Sequence, residues 1–166
     1  FLAGAAHPRV PHLFAVIGYN ADISFLNVRS GERYFRFKAD VPKGSRRFRI
    51  AISPDGERIA VGQKVELGGI VIHSTRNGGK VSGWDAKPTS YLEFSPDGRF
   101  IAISSNSGLK IFDTLSGKLS GTYSSSAELF AFDHAGTSIA LMTEEGTINI
   151  ILVPDGKKLH SIPSSN

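Results

Sequence analysis

Phe94-Ser95-Pro96-Asp97-Gly98-Arg99-Phe100-Ile101-Ala102-Ile103 returns almost unchanged at Ile52-Ser53-Pro54-Asp55-Gly56-Glu57-Arg58-Ile59-Ala60-Val61. Each copy reads as strand, tight turn, strand. Ser suits the first place of a type I turn, Pro presets φ at the second, and Gly takes the left-handed place that lets a hairpin close. A weaker copy stands at Phe132-Asp133-His134-Ala135-Gly136-Thr137-Ser138-Ile139-Ala140-Leu141, where Pro is gone but Gly and the Ile-Ala pair remain. The chain is therefore built from repeats.

Two glycine series carry the period. In the turn between the first and second strands of a unit, Gly56, Gly98 and Gly136 lie 42 and 38 residues apart. In the turn between the third and fourth strands, Gly31, Gly79, Gly117 and Gly156 lie 48, 38 and 39 apart. Alternating apolar and polar residues around those turns predict four strands per unit and four units, at about 1–39, 40–87, 88–125 and 126–166. The expected fold class is all-β, four four-stranded antiparallel blades of a β-propeller that forms part of a larger ring. Ile50, Ile52, Ile59, Val61, Ile70, Ile72, Leu92, Phe94, Ile101, Ile103, Ile111, Leu129, Ala131, Ile139, Leu141, Ile148 and Ile150 are the expected filling between sheets. Small Ala60, Ala102 and Ala140 recur where blades should crowd. An open arc of four blades would leave apolar end faces, and completion by a segment of another chain is expected over pairing of two copies.

The repeat resembles the WD40 and YVTN-type propeller families, through Phe94-Ser95-Pro96-Asp97-Gly98-Arg99-Phe100-Ile101-Ala102 and through Leu109-Lys110-Ile111-Phe112-Asp113-Thr114-Leu115-Ser116-Gly117-Lys118. Phe112-Asp113 stands where a WD40 repeat has Trp-Asp; the corresponding places are read as Ile72-His73, Leu26-Asn27 and Leu152-Val153. No unit has a Gly-His pair before its first strand, so the resemblance does not bring the hydrogen-bonded network of WD40 blades with it. It implies a rigid scaffold that presents loops to a protein partner. Lactonase and quinoprotein enzymes, and sensory or regulatory domains of larger effectors, are the alternatives it brings.

Composition bounds the rest. The 166 residues include 40% hydrophobic and 20% charged residues, ordinary for a globular chain, and Gly 18 with Pro 8 favours turns over helices. With Cys 0 there is neither a disulfide nor a thiolate site. No apolar run approaches the roughly 20 residues of a membrane-spanning helix. A cytoplasmic location is the expectation from these features. The net charge of +4 is uneven: residues 1–60 hold ten Lys and Arg against five acids, and the remainder nine against ten.

No chemistry-bearing constellation emerges, so no enzyme, metal or cofactor is expected. His7, His12, His73, His134 and His160 share no ligand spacing, and no nucleophile elbow surrounds any Ser. Asp55 and Asp97 are read as turn carboxylates bonded to nearby backbone. Lys43, Arg46 and Arg47 form the one basic cluster, in the connection between the first two units. With Tyr19, Lys64 and Glu66 on connections between second and third strands, and with Trp84, the only Trp, they make the candidate partner-binding set. The expected partner is an acidic protein, since no aromatic residues interleave with the loop's basic residues to stack nucleic-acid bases.

Overall fold

A computed structural model describes residues 3–41, 47–63, 69–85, 90–105, 107–124 and 129–163. Every regular element is a strand: β1 (Ala3–Ala6), β2 (Leu13–Ile17), β3 (Asp22–Asn27), β4 (Arg33–Lys38), β5 (Phe48–Ile52), β6 (Arg58–Gln63), β7 (Gly69–Ser74), β8 (Lys80–Asp85), β9 (Tyr91–Phe94), β10 (Phe100–Ser105), β11 (Gly108–Asp113), β12 (Leu119–Tyr123), β13 (Leu129–Phe132), β14 (Ser138–Met142), β15 (Ile148–Leu152) and β16 (Lys158–Ile162). They form four antiparallel meanders, β1 to β4, β5 to β8, β9 to β12 and β13 to β16. We call these sheets 1 to 4. The all-β class and the four propeller-type blades expected from the repeat are what the chain forms. Two compact units hold them, Phe1–Thr89 with sheets 1 and 2, and Ser90–Asn166 with sheets 3 and 4.

The Ser-Pro-Asp-Gly turns have the expected chemistry. Gly98 N–H donates to Ser95 O at 2.8 Å and Gly98 sits at φ 69°. The Ser95 hydroxyl donates to Asp97 Oδ1 at 2.6 Å and accepts the Phe100 N–H at 2.9 Å, while Asp97 also accepts the Arg99 N–H at 3.0 Å. Burial pulls the Asp97 pKa upward, but the Ser95 hydroxyl and the backbone N–H donors outweigh it and leave the carboxyl below its usual value. Asp55 is held down the same way, against burial, by Ser53, the Glu57 N–H and Arg58. One residue that the sequence did not mark completes each turn: Thr75 Oγ1 donates to Gly56 O at 2.7 Å and Thr114 Oγ1 to Gly98 O at 2.9 Å.

Strand pairing corrects the alignment of the units. Phe112 pairs Ile101, Leu26 pairs Phe14, His73 pairs Ile59 and Ile151 pairs Ile139. The counterparts of Phe112-Asp113 are thus Leu26-Asn27, His73-Ser74 and Ile151-Leu152, one residue away from two of the expected places. The glycine marker shifts with them. Gly78, at φ 72°, donates its N–H to Ser74 O, as Gly117 does to Asp113 O, so Gly78 rather than Gly79 is the turn glycine. The series Gly31, Gly78, Gly117, Gly156 then steps by 47, 39 and 39 residues. Two adjacent glycines look alike in sequence, and only backbone conformation separates them.

The fourth strand of every sheet carries a bulge at one position. Register shifts between Phe25 and Leu26, Ile72 and His73, Ile111 and Phe112, and Ile150 and Ile151. Tyr34, Val81, Ser120 and Leu159 are the extra residues, and all four are exposed. A bulge twists an edge strand away from further pairing, which protects these outer edges.

Each sheet has two faces of distinct parity. The trailing face holds the positions of Ala5, Ala51, Glu93 and Ala131; the leading face holds those of Ile52, Phe94 and Phe132. In the first unit, Ala15, Ile17, Ile23 and Phe25 on the trailing face of sheet 1 pack on Phe48, Ile50, Ile59 and Val61 on the leading face of sheet 2. In the second unit, Ala102, Leu109 and Ile111 of sheet 3 pack in the same sense on Phe130, Ile139, Leu141 and Ile151 of sheet 4. Burying such a side chain contributes about 1.5–3 kcal/mol, so these junctions hold each unit together.

The expected filling is corrected at one place. Leu129 is 53% exposed and Ile148 38%, and Ala131 and Ala140 are also exposed. All four belong to the trailing face of sheet 4, where alternation supplies apolar residues but no following sheet covers them.

Candidate functional site

The first unit holds a cleft of about 500 Å³ along the end of sheet 2. β7 contributes Gly69, Ile70 and Val71, β8 contributes Lys80, Gly83, Trp84 and Asp85, Gln63 ends β6, and Asp40 with Val41 follows β4. Two glycines in facing strands keep the walls bare. A Cβ on Gly69 would come within 2.8 Å of Trp84 O, and one on Gly83 within 3.1 Å of Ile70 O.

Opposite charges meet here. Lys80 Nζ lies 2.9 Å from Asp40 Oδ2, and this hydrogen-bonded ion pair holds the Asp40 carboxyl below its usual range. Trp84, half-buried, stands across from Ile70 in the ladder. Strand parity puts the Trp84 side chain on the other face of the sheet with Ile70, so the cleft is bordered by the Trp84 backbone, by Val41, Val71 and Lys80, and by the carboxylates of Asp40 and Asp85, a lining that suits an extended, mixed-polarity segment better than a single small anion.

His73 anchors the rim. Its ring is 1% exposed, Nδ1 lies 2.9 Å from Gly78 O and Nε2 3.2 Å from Asp40 N. A carbonyl can only accept and an amide only donate, so the ring is neutral with its proton on Nδ1. Burial pushes its pKa down, against the Gly78 carbonyl and Asp40. His7 is also structural: Nδ1 accepts the Val10 N–H at 3.0 Å, which leaves Nε2 to donate to Gly56 O at 3.2 Å. Among the described residues no group of three His, Asp or Glu side chains is placed to hold a metal ion.

The candidate partner-binding residues separate. Trp84 borders the cleft with its backbone, its side chain lying on the other face of the sheet with Ile70. Tyr19, 65% exposed in the β2–β3 turn, and Arg47, exposed before β5, do not line it. Lys43, Arg46, Lys64 and Glu66 lie outside the described residues. Asp40 and Lys80 were missed because neither is part of a motif, and their pairing spans forty positions of sequence.

Glu93 was missed too, although its signal was present. The other three sheets have Ala at its place in the first strand, at Ala5, Ala51 and Ala131. Glu93 carries a pKa raised by burial, partly offset by a hydrogen bond from the Phe132 N–H. Its Oε2 is sealed from solvent without a hydrogen-bond partner.

Compared with known proteins, the chain matches no family model and no curated sequence.

Proposed function

We propose that this chain is a non-catalytic protein-interaction scaffold built from WD40-like propeller blades, and that it binds a protein segment of mixed polarity along the cleft of sheet 2, with the acidic residues of that segment toward Arg47. The observation that carries this reading is the cleft itself, rimmed by the paired Lys80 and Asp40 beside Val41 and Val71. Arg47 and the basic excess of the first 60 residues favour acidic residues in that segment and speed its encounter.

Selection from a random peptide library on the immobilised chain tests this, with Lys80→Glu and Arg47→Glu chains as controls. Enrichment of peptides carrying Asp or Glu that is reduced at least tenfold by either substitution, about 1.4 kcal/mol, supports it. Peptides enriched equally on all three chains overturn it.

A further inference from the structure

The trailing face of sheet 4 repeats, residue for residue, faces that are covered elsewhere in the chain. Strand register aligns Ala140 with Ala15 and Ala102, Ile148 with Ile23 and Leu109, and Ile150 with Phe25 and Ile111. In sheets 1 and 3 those residues are at most 4% exposed, because the leading face of the following sheet lies on them. In sheet 4 these positions are more open, with Ala140 exposed, Ile148 38% exposed and Ile150 half-buried, and on the same face Leu129 and Ile162 are 53% exposed and Met142 38%. An apolar face of four strands is a surface that a soluble chain normally covers.

The complementary face is also uncovered. Sheets 2 and 4 bury Ile59, Val61, Ile139 and Leu141 of their leading faces completely. On sheet 1 the matching Phe14 is 36% exposed, Ala6 is exposed and Val16 half-buried. The first and last sheets, counted with their turns, carry opposite excess charge, which favours bringing them together over pairing like with like. Residues 3–41 hold five basic against three acidic side chains, and residues 129–163 two basic against four acidic.

We propose that the trailing face of sheet 4 docks the leading face of sheet 1 of a second copy of this chain, head to tail. The contact reproduces the packing already present between sheets 3 and 4. There the Tyr91 and Phe130 rings meet edge to face at 5.1 Å. The matching positions are Leu129 and, on the second copy, Gly4, so a smaller pair fills the same place. The Leu129, Met142, Ile148 and Ile162 side chains leave water on docking, and the burial of this apolar surface drives it. Such an interface is heterologous, with each copy offering a different face.

Sedimentation velocity on the 166-residue chain and its variants tests the proposal. The wild-type chain should associate with increasing concentration. Leu129→Asp and, separately, Phe14→Asp should each be monomeric, with far-UV circular dichroism like that of the wild type. Ile162→Asp and Ala6→Asp, at further exposed positions of the same two faces, should behave alike and guard against a folding defect in the first pair. An equimolar mixture of Leu129→Asp and Phe14→Asp should form a one-to-one complex, since one intact junction remains between them. A wild-type chain that stays monomeric at every concentration, or a mixture that fails to associate, overturns the head-to-tail contact.

Discussion

The junction of sheets 1 and 2 and the junction of sheets 3 and 4 use one register and opposite distributions of bulk. In the first, small Ala3 and Ala5 on the first strand face large Phe35 and Phe37 on the fourth, and an aromatic run passes from Phe25 through Phe35 and Phe37 to His73, with centroid separations of 6.5, 5.7 and 5.2 Å. In the second, Tyr91 and Glu93 occupy the first strand and Gly121 replaces Phe35 on the fourth. Its aromatic run, Tyr91 to Phe130 to Phe132, has moved to the first strands. The turn after the third strand records the change. Gly78 packs beneath the Phe37 ring, whereas the Pro154–Gly156 turn rests on the bare backbone of Gly121 and Thr122. A blade junction thus conserves the space to be filled, not which strand fills it.

Adding bulk where the second junction has none should have the largest effect. A Cβ at Gly121 would fall 2.1 Å from Pro154 O and 2.4 Å from Asp155 C, both backbone atoms that cannot swing away. Gly121→Val should destabilise the second unit by about 3 kcal/mol, measured by chemical denaturation. Gly121→Phe, although it copies Phe35, should be no better. If it restores wild-type stability, the two junctions are not alternative fillings of one space.

Removing the charge from the second junction should have a smaller effect of opposite sign. Burial raises the Glu93 pKa, so the folded state favours the protonated acid. Its ionisation cost is absent below the ordinary glutamate value and grows as pH rises through the raised one. Glu93→Gln should therefore be more stable than the wild type at pH 7, by on the order of 1 kcal/mol, with the advantage shrinking in acid. Melting curves across that range check it, and a less stable variant at pH 7 would mean that the carboxylate, not the acid, suits this junction.

The first junction should answer to pH in the other direction, and least. His73 is held neutral with its pKa lowered, so its contribution is fully present above the ordinary histidine value and is lost as pH falls through the lowered one. Stability should drop as pH falls below the ordinary histidine value, about 6.5, and His73→Gln, which keeps a donor and an acceptor, should lessen the drop by under about 1 kcal/mol. Equal slopes for both chains would remove His73 from the account.

Much of the fold was legible in the sequence because its signals are local. Ser53-Pro54-Asp55-Gly56 and Ser95-Pro96-Asp97-Gly98 close their own turns, and alternation from Phe100 to Ser104 selects one face for the core within a few residues. Of the candidate site the sequence marked only Trp84, conspicuous by its type, which borders the cleft with its backbone while its ring turns to the other face. Asp40 with Lys80, and His73 with the Asp40 amide, come together because a connection leaving one sheet lies along the edge of the next. No local pattern encodes that proximity.

By itself the sequence determined how many sheets form, where their turns fall and which positions carry apolar side chains, since each depends on the backbone preferences and side-chain parity of a short stretch. Tertiary structure alone decided whether those apolar positions are covered. Ile111 and Ile150 occupy the same register and are the same residue, yet one is buried and the other half-buried. Parity sets the direction of a side chain, but water is excluded only when a second surface arrives, and that surface belongs to another sheet.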